Sequence, residues 1–414
     1  MSSSTNRRTA TPRPTGSQGS EMKVCHIITR MILGGAQENT FLTCKGLQER
    51  GWDVSLLAGP QTGAEGSLQQ RCRQEGFRFE IVEPMLRQVS PLNDWRAMQA
   101  MKTWLQREKP AIVHTHSSKA GILGRIAARQ AGVPIIVHTV HGMSFNRTQR
   151  PLIRRAYRDL EAYCARFTDK IITVADAMIE QTVEAGVAPR DKCVTIYSGM
   201  ETEHFDPARY DRAALRARLN MPADAVVVGT VARMFTNKGY EQLMPAMPEI
   251  VRKAGNVHFL WIGDGPYREH YLRHVAQMNL RERVHLTGLV PPEKVAEWLS
   301  AADILVHASQ WEGLPRVVVQ ALLLEKPAVA FDVDGTPEVV ITDRTGVLVK
   351  LNDVDGLAAG VVRLACDPAL RQRLGRQGRE MCLQRFRWQT MVEQIEGVYK
   401  ALSMAKGVVS SRSP

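Results

Sequence analysis

Lys23-Val-Cys-His-Ile-Ile-Thr29 is an apolar run of strand length, followed by Leu33-Gly34-Gly35 and then by a helical pattern from Ala36 to Arg50. Strand, glycine turn and helix in that order make one βα unit, and the chain repeats it. Strand candidates follow at 53–57, 77–82, 111–115, 135–139, 170–174 and 192–196, with helical periodicity between most of them, as at 93–107 and 119–131. A second series starts at Val226-Val-Val-Gly-Thr-Val231 and continues at 258–262, 284–287, 304–306, 328–331 and 346–349. Such alternation predicts α/β architecture with parallel sheets covered on both faces. The expected fold is two doubly wound, Rossmann-like domains facing across a cleft, because ligands of open α/β sheets bind outside the carboxyl ends of the strands.

The expected divisions are a disordered tail at 1–20, a first domain at 21–200 and a second at 201–385. The join is placed in the polar stretch near 198–218. Helices are predicted at 353–366, 369–384 and 388–402. The segment 386–404 is expected to pack back on the first domain, and 405–414 to form a tail. The first 20 residues contain Ser, Thr, Pro, Gly and Arg with no apolar h-region, unlike a secretory signal. No apolar run approaches the ~18–20 residues that span a bilayer.

The 414 residues are 44% hydrophobic and 23% charged, which suits two ordinary cores without metals or disulfides. The net charge of +12 favours anionic partners such as phosphates, nucleic acid or an acidic membrane face. The seven cysteines show no CxxC pair and read as reduced core residues of a cytosolic protein.

Several residues stand where chemistry occurs. Gly34 and Gly35 either let backbone N–H groups approach an anion at a helix N-terminus or simply form a tight turn. The Gly-x-Gly-x-x-Gly spacing of dinucleotide binders is absent. Arg233 and Lys238, in Val231-Ala-Arg-Met-Phe-Thr-Asn-Lys-Gly239, either clamp a diphosphate or are solvated loop charges, and their place at a strand's carboxyl end favours the clamp. In His307-Ala-Ser-Gln-Trp-Glu-Gly-Leu-Pro315, Glu312 either accepts sugar hydroxyls, with Gly313 and Leu314 offering amides to phosphate, or caps the next helix.

His114, His116, His138 and His141 gather at two strand ends with no carboxylate or cysteine beside them, so no metal is expected. His141, next to Gly142, reads as a polar group at the cleft. Asp332-Val-Asp334 has the DxD form of a metal-binding motif, but two acids so spaced are common by chance. Residues 147–166 interleave six arginines with Leu152, Ile153, Tyr157, Leu160 and Tyr163. This helix either rests on anionic lipid or meets an acceptor pyrophosphate, or it is a solvated face with a core stripe. No zinc finger or RNP motif points to nucleic acid.

Taken in order, these motifs resemble the retaining GT-B glycosyltransferases of family 4, the glycosyl transferases group 1. The second domain carries Arg233…Lys238-Gly239, Ile262-Gly-Asp-Gly-Pro266, Glu312-Gly-Leu-Pro315 and Gly335-Thr-Pro-Glu338. The first carries Gly34-Gly35, Val113-His-Thr-His-Ser-Ser-Lys-Ala-Gly-Ile-Leu-Gly124 and His138-Thr-Val-His-Gly142, similar to members that build capsule and exopolysaccharide. The match runs over residues 22–403.

The resemblance implies that Arg233 and Lys238 hold the donor diphosphate. Glu312 touches the donor sugar beside Gly313, Leu314 and Pro315, Gly34 and Gly35 keep the first loop small, and His141 contacts the sugar near the reacting centre. His116, Lys119 and Arg147 fall on the acceptor side. The family's second glutamate, eight positions after the first, is here Gln320, which accepts a ribose hydroxyl without charge assistance.

The implied activity is transfer of a hexosyl or N-acetylhexosaminyl group with retention, without a metal or other cofactor. The donor is expected to be a UDP sugar ahead of a GDP sugar. The expected acceptor is a sugar or a polyprenyl-pyrophosphate-linked glycan, reached from the cytoplasm or the inner membrane face. A nucleotide-sugar epimerase of the same architecture and a degenerate nucleotide-sugar-binding protein are the rival readings.

Overall fold

The computed structural model describes residues 22–61, 66–145 and 149–408. The tail expected at 1–20, the end of the one expected at 405–414, and Arg147 all lie outside the described residues.

The first sheet comprises β1 (Lys23–Arg30), β2 (Asp53–Gly59), β3 (Arg78–Ile81), β4 (Ile112–His116), β5 (Ile135–Val140), β6 (Lys170–Thr173) and β7 (Cys193–Thr195), in the order β3-β2-β1-β4-β5-β6-β7. The second comprises β8 (Val226–Val231), β9 (Val257–Ile262), β10 (Val284–Gly288), β11 (Ile304–His307), β12 (Ala328–Phe331) and β13 (Gly346–Val349), in the order β10-β9-β8-β11-β12-β13. The strand pairs in both are parallel. Helices cover both faces, so β9 and β12 are buried at every residue and read as unbroken apolar runs. Strand order reverses between β1 and β4 and between β8 and β11, and a crevice opens at each reversal.

Period-2 alternation divides β1 between two cores. Val24 and Ile28 face Leu42, Leu47, Met391 and Ile395, whereas Cys25 and Ile27 face Met101, Leu105 and Ala127. Met391, Ile395 and Tyr399 belong to the helix Trp388–Ala405, which leaves the second sheet and packs on helix Gly35–Glu49. The two crossings of the chain lie side by side. Met200 N donates to Phe386 O at 2.9 Å, and Trp388 N donates to Met200 O at 3.3 Å.

The polar stretch near 198–218 is more structured than a linker. Asp211 accepts from Ala214 N at 3.0 Å and caps the helix Arg212–Arg218, and Arg216 is buried against Asp303 at 2.7 Å. All seven cysteines are free. Five are buried, but Cys366 is exposed at the end of helix Val354–Cys366, so the core reading fails there.

Polar and apolar contacts join the halves. Both Glu338 oxygens accept from the helix Asp176–Glu184, from Asp176 N at 2.8 Å and Ala177 N at 3.0 Å. A carboxylate from the second half thus caps a helix of the first, where the dipole favours negative charge. Val174, Ala175 and Met178 share a core with Leu314, Val318 and Val339.

Candidate active site

A cleft of about 470 Å³ lies where the carboxyl ends of the two sheets meet. That volume suits a ligand the size of a nucleotide sugar. Gly35 and His141 line it from the first half, and Arg233, Lys238, His307 and residues 312–317 from the second. Gly35 follows β1, His141 follows β5, Arg233 follows β8 and Glu312 follows β11, so each sits on a turn at a strand's carboxyl end.

Gly239 explains how Lys238 reaches its place. Its φ of 95° is left-handed, and a Cβ there would lie 2.6 Å from the Ala308 carbonyl carbon. The loop therefore lies flat on the end of β11, and Lys238 Nζ stands 3.1 Å from Glu312 Oε1. His307 Nε2 is 3.4 Å from the same oxygen. Burial raises the Glu312 pKa, but the His307 hydrogen bond and charge, with the Lys238 charge, outweigh it and hold the carboxyl at about 2. The Arg233 guanidinium lies over the Phe235 ring at 4.6 Å.

Asp334 orients the Glu312 turn. One oxygen accepts from Glu312 N at 2.7 Å and the other from Gln181 Nε2 at 2.7 Å, across the two halves. Within the DxD-like pair, Asp334 thus acts as a brace. Arg316 bridges the halves as well, 2.8 Å from Glu38 and 2.9 Å from Ser198 Oγ.

Gly313 is a close backbone contact between the halves. A Cβ there would lie 2.4 Å from the His141 carbonyl oxygen, backbone against backbone. Gly313→Ala is therefore expected to prise the cleft apart, costing ~1–3 kcal/mol of stability. Transfer should fall at least ~10-fold with it, since misplaced groups lose rate steeply. Denaturation midpoints and initial rates of the variant check both, and normal values would mean the halves do not meet there.

Other site candidates fall elsewhere. His116 is fully buried behind His141, so its side chain does not face an acceptor directly. Lys119 is paired with Asp94 at 2.5 Å. Gln320 is half-buried on helix Arg316–Leu323, one turn beyond Arg316, and is not among the residues lining the cleft. Gly34 is the extended residue before helix Gly35–Glu49. Leu152, Ile153, Leu160 and Tyr163, weighed as a core stripe, are exposed on helix Pro151–Ala165, whose buried side is Glu161, Cys164 and Ala165. A second hollow, of about 450 Å³, lies at the opposite strand ends. Its arginines are engaged: Arg212 and Arg216 with Asp303, Arg371 with backbone carbonyls.

Sequence reading missed His26, which joins the histidine cluster from β1. His26, His114 and His116 lie close enough together to hold a metal ion. However, each of their six ring nitrogens already has a hydrogen-bond partner. Burial lowers the pKa of all five rings, to about 3 for His26 and, with the Arg316 charge, to about 3 for His141. Between pH 6.5 and about 3 the unfolded chain binds protons that folded His26 refuses. Stability is therefore expected to fall as pH drops through that window, by up to about 1.4 kcal/mol per pH unit for each such ring. Urea midpoints at pH 7, 6 and 5 measure the slope, and a flat series would mean the rings charge within the fold.

Two doubly wound sheets with their carboxyl ends turned to one cleft define the GT-B class. Residues 211–381 match the model for glycosyl transferases group 1, and residues 34–199 match that for the glycosyl transferase 4-like domain. With both domains matched in order, the chain belongs to this glycosyltransferase family. It is 28% identical over 387 residues to an Escherichia coli UDP-Gal:α-D-GlcNAc-diphosphoundecaprenol α-1,3-galactosyltransferase, covering 92% of this chain and 97% of that one. It is 25% identical over 357 residues to the capsular polysaccharide biosynthesis glycosyltransferase CapM of Staphylococcus aureus, covering 85% and 91%. Among solved structures, Anabaena Alr3699/HepE in complex with UDP superposes with a TM-score of 0.78 at 22% identity, covering 92% of this chain and 100% of that one. That last likeness speaks for the fold.

Proposed function

We propose that this glycosyltransferase moves a sugar from a UDP donor, with retention, to a hydroxyl of a polyprenyl-diphosphate-linked glycan in cell-surface polysaccharide assembly. One observation carries the reading: Arg233, Lys238 and Glu312 share a single hollow, with Gly35 and His141 facing them from the other half. The similarity to the Escherichia coli galactosyltransferase supports the choice of UDP and of a lipid-linked acceptor.

Arg233 and Lys238 hold the diphosphate and stabilise the charge that develops on it. Glu312 accepts sugar hydroxyls, and the turn 313–315 places the helix N-terminus toward phosphate. The C1–phosphate bond breaks with its electron pair leaving on UDP. The acceptor oxygen bonds C1 from the same face, and its proton passes to a phosphate oxygen. Two side-chain cations do the work that a divalent metal does in other transferases, so none is needed.

A thermal-shift panel of UDP, GDP, ADP and their sugars tests the donor site, because a ligand that binds the folded state raises its stability. UDP compounds should give the largest shift. No response to any nucleotide would overturn the reading. Helix Pro151–Ala165 carries Arg154, Arg155 and Arg158 beside the exposed Leu152 and Ile153. It is the proposed contact with the cytoplasmic membrane face, where the lipid-linked acceptor resides. Sedimentation with phosphatidylglycerol vesicles, lost in Leu152→Glu, tests that contact, and equal sedimentation of both proteins would exclude it.

A further inference from the structure

A line of hydrogen bonds runs from the cleft wall into the core. His141 Nε2 lies 3.0 Å from His116 Nδ1, and His116 Nε2 lies 2.9 Å from His26 Nδ1. His26 Nε2 is 3.4 Å from the Tyr399 hydroxyl, and that hydroxyl is 2.6 Å from His114 Nδ1. His114 Nε2 ends the line at Thr139 Oγ1, 2.7 Å away. All these groups except His141 are buried, and among the described residues His141 Nδ1 has no hydrogen-bond partner.

A neutral imidazole carries one N–H and one bare nitrogen, and a phenol carries one hydrogen. Only two proton orders therefore satisfy the whole line. With every hydrogen pointing inward, His141 carries its hydrogen on Nε2 and its Nδ1 is bare. With every hydrogen pointing outward, His141 carries it on Nδ1.

The distances at Tyr399 choose between them. In the inward order the 2.6 Å contact is a phenol O–H on a bare nitrogen, and the 3.4 Å contact is an imidazole N–H on the phenol oxygen. The outward order makes the short contact an N–H···O bond, below the ~2.7 Å lower end for such bonds, and leaves the phenol hydrogen on the long path. A phenol is also the stronger donor and an imidazole nitrogen the stronger acceptor, which favours the same order.

We propose that His116, His26 and Tyr399 are positioning residues that hold His141 as the Nε2–H tautomer, its bare Nδ1 turned to the cleft as an acceptor for a sugar hydroxyl. The sugar's part rests on the functional reading above, whereas the tautomer stands on the buried line alone. Burial keeps the rings uncharged, so the order persists at neutral pH. His141 then reads hydroxyl groups and does not add a third cation to the diphosphate site.

The test is a long-range proton–nitrogen correlation spectrum of the full chain labelled with ¹⁵N-histidine, recorded without nucleotide. His141 is assigned by its disappearance in His141→Gln. The wild type should show a protonated Nε2 and a bare Nδ1 far downfield of it. In Tyr399→Phe the outward order leaves His26 Nε2 bare instead of an unpaired buried N–H, so His141 should convert to the Nδ1–H form. An Nδ1–H pattern in the wild type, or an unchanged His141 in a folded Tyr399→Phe, would overturn the proposal. Should that variant fail to fold, the wild-type spectrum decides alone. No sugar is present, so the outcome is independent of whether the chain is shown to transfer one.

Discussion

Lys238→Ala is expected to slow sugar transfer at least ~10²-fold, and Arg233→Ala to do the same, by the magnitude seen when one preorganised electrostatic donor is removed. The two cations differ in kind. Lys238 is a point charge 3.1 Å from Glu312, fixed by the flat turn at Gly239, whereas Arg233 is a fork lying over the Phe235 ring. The departing nucleotide gains negative charge as its bond to the sugar breaks, so these cations act most strongly after the ground state. Loss of either should therefore appear mainly in kcat, with binding of the intact nucleotide sugar weakened much less. Lys238→Ala carries a further penalty, because Glu312 loses its lysine partner at 3.1 Å. Single-turnover rates beside nucleotide-sugar titrations separate the two effects. Near-normal rates in both variants would remove the clamp from the mechanism.

Glu312→Gln is expected to abolish most transfer, on the order of 10²-fold, while leaving the fold intact, because an amide loses the charge assistance that a carboxylate gives a hydroxyl donor. The carboxyl pKa of about 2 means Glu312 stays ionised throughout the working range, so the acid limb of a rate profile will not report it. Stability reports it instead. A depressed carboxyl contributes its stability fully above the unfolded value of 4.5, and that stability is lost as pH falls toward 2. The gap in denaturation midpoint between wild type and Glu312→Gln should thus be constant above pH 5 and shrink below 4.5. A gap that stays constant through pH 4.5 and below would mean the carboxyl titrates normally and that His307 and Lys238 do not hold it.

The parts of this site legible in the sequence are those set by local pattern. Parallel strands buried on both faces give compact apolar runs, and the turn after each run must face the cleft. That pattern locates Gly35, His141, Arg233, Lys238 and Glu312 at the cleft. The hidden parts are pairings between remote segments. Tyr399 meets His26 across 373 positions, Asp334 meets Gln181 across 153, and Glu338 caps Asp176 across 162. Arg316 opens a helix, and its pairing with Glu38 from the other half is of the same remote kind. His26 was concealed by its neighbours, since a histidine within an apolar strand gives no sign of what stands opposite. The arginine-rich helix 151–165 reads two ways in the sequence, and of these the core stripe is the one that fails, since Leu152, Ile153, Leu160 and Tyr163 are exposed.

The helix Trp388–Ala405 follows both sheets in the chain yet fills one face of the first with Met391, Val392, Ile395 and Tyr399. A ribosome delivers that helix only after the whole second sheet. The N-terminal half, though translated earlier, must hold an unfilled apolar face until residues 388–405 emerge, so a nonsense codon between Val349 and Trp388 damages the first sheet while sparing every strand of both.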